Sequence, residues 1–333
     1  MFGTIHIIVH YEPGLSVMRR PGPAQGGPAD PSAARARAGS LMGPRRVAGP
    51  MPRARARGAG REEASTALLG PDSVIVGDAV ATLRALPAGS VHLAITSPPY
   101  NVGIAYRGYD DARRHDEYLA WLKGTWVELH RVLVEGGRFA LNVAPTSIKA
   151  FHPIHHDLSR DLRALGYIMR TEIIWYKQTM GRRTAWGSWK SPANPHIVPS
   201  WEYVLVFSKG SWRLEGDRGN IDISGPEFQL FSDGFWSIRP EQRRHGHPAP
   251  FPEPLIERLI KFYSYRGNVV LDMFGGTGTV AAVARANGRH FYHIDASAEY
   301  CAQALERVRR ATPPPDAFIP VPERVTVGPE AAP

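Results

Sequence analysis

The sequence predicts an α/β fold: a mixed sheet with helices on both faces and one inserted lobe. Three observations carry that expectation. From Asp72 onward, short β-branched runs alternate with segments of helical spacing. The alternation lapses between Lys177 and about Pro250. It resumes around a strand that runs into Gly275-Gly276-Thr277-Gly278 and then an Ala-rich helix.

The elements follow in order. Ser73-Val74-Ile75-Val76 is a short strand ending in Gly77-Asp78, and 79–86 carries the 3,4 spacing of a helix closed by Pro87. Residues 91–95 form an apolar strand covered on both faces. It stops at Thr96-Ser97-Pro98-Pro99-Tyr100-Asn101, because consecutive prolines fix φ and donate no N–H. Tyr118, Leu119, Leu122, Trp126, Leu129, Val132 and Leu133 mark an amphipathic helix over 116–134, stopped by Gly136-Gly137. A strand over 138–143, a helix over 158–165 and a strand over 167–175 complete this half. After the lapse come a helix over 254–265, a strand over 268–273, a helix over 279–287, a strand over 291–294 ending at Asp295, and a helix over 299–310.

The flanks and the interruption read differently. Residues 13–65 are rich in Pro, Gly, Ala and Arg with almost no large apolar side chains, so residues 1–70 are expected to be a disordered basic leader. It is either a nucleic-acid-binding arm or a dispensable extension ahead of a start at Met42 or Met51. Pro313-Pro314-Pro315 opens a tail, 312–333, also expected to be disordered. Residues 178–245 hold Trp186, Trp189, Trp201, Trp212 and Trp236 among Arg182, Arg183, Lys190, Arg243 and Arg244, with one clear strand over 202–207. Cations for phosphates interleaved with rings suit a lobe that touches nucleic acid, although most of the tryptophans are expected to be its small core.

Composition narrows the function. The net charge of +9 over 333 residues is mostly the leader's, where ten arginines face four acids, leaving +3 for the body. No apolar run approaches the roughly 18 residues of a membrane helix, no secretory leader is evident, and a cytoplasmic location is expected. The lone Cys301 excludes an intramolecular disulfide framework and a cysteine-based zinc cluster. His152, His155, His156 and Asp157 have the composition of a metal cluster but lack a further ligand motif, and no metal is expected.

Two stretches carry chemistry. The strand end at Ser97-Pro98-Pro99-Tyr100 presents unpaired carbonyls and a hydroxyl beside an aromatic ring, which suits a planar ring with an exocyclic amine. The strand–glycine–helix stretch lets a ligand approach the backbone at a helix N-terminus, and Asp295 at the next strand end is placed for a ribose hydroxyl pair. A dinucleotide fits the relaxed spacing Gly276-x-Gly278-x-x-Ala281, but Asp272 at the lip would repel a pyrophosphate and would pair with an ammonium. S-adenosylmethionine has an ammonium and a ribose and no phosphate.

These residues carry a resemblance. Leu271-Asp272-Met273-Phe274-Gly275-Gly276-Thr277-Gly278-Thr279 resembles the cofactor motif of amino-group DNA methyltransferases, and Thr96-Ser97-Pro98-Pro99-Tyr100 their catalytic motif. His247-Pro248-Ala249-Pro250-Phe251-Pro252 is similar to the segment closing over the methionine end, and the motif order is that of the β class. Met273 stands where proline is usual and His293 where glycine is usual. The resemblance implies a Rossmann-like S-adenosylmethionine-dependent methyltransferase domain over 71–177 and 246–311, with a target-recognition insertion over 178–245. It implies Ser97, Pro98, Pro99 and Tyr100 as catalytic, with Ser97 and the Pro98 carbonyl holding the amine. It implies Asp78, His247, Pro248, Asp272, Phe274, Gly275, Gly276, Thr277, Gly278, Thr279 and Asp295 at the cofactor. Trp175 would line the target-base pocket opposite Tyr100, with Arg182, Arg183, Lys190, Arg243 and Arg244 on DNA.

The expected activity is methylation of cytosine N4 in a base flipped out of duplex DNA, within restriction–modification or epigenetic marking. The Ser form of the motif is associated with cytosine N4 and the Asp form with adenine N6. Carbon-5 methylation does not fit, since Cys301 lies in a C-terminal helix with no proline before it. The alternatives are adenine N6 methylation, a DNA-binding protein that has lost catalysis, and methylation of RNA or a protein amide. Duplex DNA is the expected partner, a cognate restriction endonuclease a further one, and the chain is expected as a monomer or homodimer.

Overall fold

The computed structural model describes residues 69–100, 114–144, 152–178, 187–242 and 249–329. Nine strands form one sheet: β1 (Ser73–Val76), β2 (Val91–Thr96), β3 (Leu133–Val143), β4 (Tyr167–Tyr176), β5 (Trp201–Lys209), β6 (Phe235–Ser237), β7 (Val269–Asp272), β8 (His290–Asp295) and β9 (Thr326–Val327), in the order β6-β4-β5-β3-β2-β7-β8-β1-β9. The β5 pairings with β3 and β4 are antiparallel and every other pairing is parallel. The sheet is therefore mixed, as expected, and β2 lies between β3 and β7 at the point where the chain order reverses.

Helices cover both faces. α1 (Ala79–Ala85), α2 (His115–Val132) and α3 (Ile154–Ala164) bury Leu83, Leu122, Trp126, Leu129 and Leu158 against Ile75, Ala94, Phe139 and Leu141. α5 (Glu253–Tyr263), α6 (Thr279–Ala286) and α7 (Ala298–Arg310) bury Ile256, Ile260, Val280 and Ala304 against Val74, Leu93, Ile95 and Val270. The alternation Val74/Ile75 and Leu93/Ala94 sends successive side chains to opposite layers, which is why these strands are apolar throughout.

Three expectations differ from the structure. The helix expected over 116–134 ends at Val132, and β3 begins at once with Leu133, so Gly136-Gly137 lies inside a strand. Register jumps there from Val91↔Leu133 to Leu93↔Arg138; Gly136 takes φ +71°, and a Cβ on it would meet the Arg213 carbonyl at 1.8 Å. The glycines make a bulge rather than a helix stop.

The interruption expected over 178–245 supplies β5 and β6 to the central sheet. Val204, Leu205, Val206 and Phe207 are fully buried, and α4 (Gly225–Phe231) with Phe231, Trp236 and Ile238 joins the α5 layer. Buried Arg289 forks onto Asp222 (Nη2–Oδ1 2.8 Å) and donates to the Ser264 carbonyl (2.8 Å), tying this segment to the body. Residues 187–200, closed by a Gly187–Pro195 bridge, stand outside the sheet, as do 210–234 with α4. Trp236 is buried as expected, whereas Trp189 and Trp212 are 65% and 59% exposed.

The tail described to 329 is placed rather than frayed. Ile319 is buried, Arg309 donates to the Glu323 carbonyl (2.6 Å), and β9 pairs with β1. Pro313–Pro315 ends α7 without ending the packing. The expected leader, residues 1–68, lies outside the described residues. No described helix is long and apolar enough to cross a membrane.

Candidate active site

The carboxyl ends of β4, β3, β2, β7, β8 and β1, with the N-terminal end of antiparallel β5, meet at one edge of the sheet. Along it stand Trp175 and Lys177, Glu202, Asn142, Thr96 to Tyr100, Asp272, Asp295 and Asp78. Strand ends at a chain-order reversal leave a crevice between diverging connections, and ligands enter there.

The two motifs are joined directly. The Thr96 hydroxyl donates to Asp272 Oδ1 at 2.6 Å, across 176 residues of sequence. The Phe274 N–H donates to the same oxygen at 3.1 Å, while nothing among the described residues donates to Oδ2. Asp272 is 2% exposed, and burial pushes its carboxyl up to about 7 against those two hydrogen bonds, with Asp295 pushing the same way. A buried carboxylate with one bare oxygen fits a cation.

Next to it the glycine turn forms a cradle. Gly276 and Gly278 take φ +50° and +80°, and a Cβ on Gly278 would lie 2.7 Å from the Ala304 backbone. Asp295 receives the Gly276 N–H on Oδ2 (2.8 Å) and the Ser297 N–H on Oδ1 (2.8 Å), so its remaining lone pairs are oriented by the turn it faces. His293, in glycine's usual place, is fully buried beneath Gly275, where a Cβ would come within 2.3 Å of Nδ1. Burial holds its imidazole down at about 4 and therefore neutral, and both ring nitrogens lack partners among the described residues. Asp78 caps α1, accepting from the Ala81 N–H at 2.9 Å. It lies two residues past Val76, the register partner of Asp295, and so at the same edge. Phe274 is half-buried against Trp121, ring centroids 5.5 Å apart. Thr277 and Thr279 are buried, and Thr279 Oγ1 accepts from Arg307 at 2.8 Å.

The second half of the crevice is a chain of hydroxyls. Ser97 donates its Oγ proton to the Tyr100 hydroxyl (2.8 Å), which lies 3.4 Å from Glu202 Oε2 as donor and accepts from Asn142 Nδ2 (3.0 Å). Asn142 Nδ2 also donates to Glu202 Oε2 at 2.6 Å, and Lys177 Nζ pairs with Glu202 Oε1. With its proton turned to Tyr100, Ser97 presents lone pairs. The Pro99 carbonyl is taken by the Tyr118 hydroxyl at 2.7 Å, whereas nothing among the described residues donates to the Pro98 carbonyl. Ser97 Oγ and the Pro98 carbonyl thus stand as acceptors at the strand end.

Glu202, Asn142, Lys177 and Tyr118 had no signal in the sequence as site residues. Each belongs to an ordinary strand or helix, and Glu202 meets Asn142 only because β5 turns antiparallel against β3. Trp175 is 4% exposed, its indole N–H donates to the Ile238 carbonyl (2.9 Å), and it packs in the α5 layer with Ile95 and Trp236. It reaches the site through Lys177, whose ammonium lies 5.2 Å from its ring centroid. Lys190 is exposed on the 187–195 turn, 5.9 Å from the Trp189 ring. Arg182, Arg183, Arg243, Arg244, His247 and Pro248 lie outside the described residues. Cys301 is buried, and burial pushes its thiol up to about 12, as expected of a residue without a nucleophilic role.

Fold and site together define a protein of the doubly wound α/β class, with a glycine turn beside the carboxyls of Asp272 and Asp295 on one side of a chain-order reversal and a chain of hydroxyls on the other. Residues 91–306 match the sequence profile of the N6_N4_Mtase family, DNA methylase. The chain is 36% identical over 160 residues to the type II methyltransferase M.MjaVI of Methanocaldococcus jannaschii, covering 48% of this chain and 82% of that protein. It is 31% identical over 251 residues to the DNA adenine methyltransferase YhdJ of Escherichia coli, covering 71% and 82%. It superposes with a TM-score of 0.60 and 30% identity on TTHA0409 of Thermus thermophilus, solved in complex with S-adenosyl-L-methionine, over 78% of this chain and 98% of that one. The protein belongs to the DNA methylase family.

Proposed function

We propose that this protein transfers a methyl group from S-adenosylmethionine to the exocyclic N4 amine of a cytosine flipped out of duplex DNA. The observation that carries the amine chemistry is the Ser97 hydroxyl, which donates to Tyr100 and so has its oxygen placed to accept; the choice of cytosine rests on the Ser-Pro-Pro-Tyr form of the strand end. An amine with two hydrogens needs two acceptors, and Ser97 Oγ and the Pro98 carbonyl supply them. Held there, the nitrogen is drawn out of conjugation, and its lone pair becomes the nucleophile.

The cofactor side fits S-adenosylmethionine on the residues present. Asp272 Oδ2 would take the ammonium, Asp295 the ribose hydroxyls, and Gly275 to Gly278 the close approach; Asp78 and Phe274 flank the base. Bound there, the cofactor supplies an electrophilic sulfonium methyl. The methyl would pass to the amine nitrogen as the sulfonium leaves as a neutral thioether, and the amine proton would move to Ser97 Oγ as that hydroxyl's own proton passes through Tyr100 to the Glu202 carboxylate. Tyr100 offers its ring face to the flipped base while its hydroxyl is pinned by Asn142 and Glu202. The basic and aromatic residues between β4 and α5, Lys190 and Trp189 among them, would meet the DNA backbone.

Glu202→Gln is expected to lower kcat about tenfold while leaving cofactor affinity unchanged, because it weakens the group that turns the Tyr100 and Ser97 hydroxyls. Turnover measured beside calorimetric binding checks this; a matched loss of cofactor affinity would count against it.

A second reading, adenine N6, is favoured by the 31% identity to a protein named as an adenine methyltransferase. Nucleoside mass spectrometry of plasmid DNA treated with purified protein and cofactor separates the two. N4-methylcytosine is expected; N6-methyladenine alone would replace the cytosine assignment while keeping the pocket.

A further inference from the structure

We infer that His115, His152 and Asp157 form a divalent-cation site, suited to zinc, that clamps the start of α2 to the start of α3. His115 is the first residue of α2, His152 precedes α3, and Asp157 lies in the first turn of α3. Their ligand atoms converge: His115 Nε2 is 2.8 Å from His152 Nε2 and 3.2 Å from Asp157 Oδ2, and His152 Nε2 is 3.6 Å from that oxygen.

Protons alone satisfy this arrangement poorly. If His152 donates its Nε2–H to His115, the His115 lone pair is spent on it and Asp157 Oδ2 faces a second lone-pair atom at 3.2 Å. If His115 carries the proton, its one N–H is split between the His152 lone pair at 2.8 Å and Asp157 Oδ2 at 3.2 Å and points squarely at neither. If both rings are protonated, two N–H bonds oppose each other. A cation among the three atoms satisfies all of them at once. Their mutual separations bracket the about 3.3 Å edge of a tetrahedron with zinc–ligand bonds of about 2.05 Å. Three protein ligands of imidazole and carboxylate type leave one position for water.

The neighbours sharpen the ligand set. Arg160 pairs with Asp157 Oδ1 at 3.3 Å, leaving Oδ2 to the cluster. His155 is buried and stacks on Tyr203, ring centroids 4.1 Å apart at 13°, and His156 is exposed. Of the four residues noted in the sequence, where no metal was expected, His152 and Asp157 belong to this cluster and His155 and His156 do not; its third member is His115, 37 residues before His152. The consequence reaches the strand end, because Tyr118, one turn along α2 from His115, holds the Pro99 carbonyl.

The test uses untagged full-length protein stripped with chelator and dialysed. Titration with zinc chloride in a calorimeter is expected to show one saturable site, and cobalt(II) chloride the intense visible absorption of a tetrahedral centre. His115→Ala and Asp157→Asn should each weaken zinc binding more than about a hundredfold. His156→Ala should not change it. Zinc should raise the melting temperature of the parent and of His156→Ala but not of His115→Ala, whose circular dichroism before zinc is expected to match the parent's. Absence of saturable binding to the parent, or retention of parental affinity by His115→Ala, would overturn the proposal; neither result bears on methyl transfer.

Discussion

Replacing Ser97 with Ala is expected to lower kcat by about two to three orders of magnitude while changing S-adenosylmethionine affinity less than about twofold. The variant removes one of the two acceptors that the proposed function assigns to the amine and leaves the cofactor side intact, because the link between the two halves runs through Thr96 Oγ1 and Asp272, not through Ser97. It also frees the Tyr100 hydroxyl from its bond to Ser97, but Asn142 and Glu202 still hold that hydroxyl, so the ring keeps its place. Tritium transfer from labelled cofactor to unmethylated DNA measures the first quantity and calorimetry the second. Equal losses in both would mean that Ser97 supports the fold of the crevice rather than the amine.

Much of this site was legible in the sequence because its key residues sit at points where the backbone is forced. Pro98-Pro99 must end β2, and Gly276 and Gly278 must turn with positive φ, so the positions of Ser97 and Asp295 at one sheet edge follow from chain chemistry alone. Asp272 was legible for the same reason, as the last residue of a buried strand. The polar partners were not. Asn142 and Glu202 lie on β3 and β5, and only the antiparallel register Asn142↔Val204 brings them together; no local pattern encodes a register between strands 60 residues apart. The boundary of α2 differs from the expected one because Leu133 and Val134 continue the helical apolar spacing, and the bulge at Gly136 is fixed by the later segment around Arg213. The interruption after β4 reads as a separate lobe because a lone central strand and a three-residue strand carry no alternation with helices, although both add to the same sheet.

Asp272 is expected to trade stability for binding, and its variant should show both sides. Its carboxyl is pushed up to about 7, chiefly by burial, while in the unfolded chain it titrates near the ordinary 3.8. The folded state therefore binds its proton more tightly. Below the unfolded value both states are protonated and the group costs nothing; as pH rises through that value the unfolded state ionises first and stability falls, reaching its full loss above about pH 7. Asp272→Asn keeps an acceptor for Thr96 and Phe274 and removes the charge. It should match the parent to within about 1 kcal/mol at about pH 4 and exceed it by up to about 4 kcal/mol at about pH 8, measured by urea unfolding without cofactor. Cofactor affinity should move the other way, falling about a hundredfold or more at about pH 7.5, since the proposed function gives the bare Oδ2 the ammonium to hold. In the parent, that affinity should weaken by about tenfold between about pH 7.5 and about pH 5.5 as Asp272 takes up its proton, and the Asn variant should lack this dependence. A variant that is less stable at about pH 8, or that binds cofactor as the parent does, would show that the carboxylate serves Thr96 and the β2–β7 junction instead of a ligand.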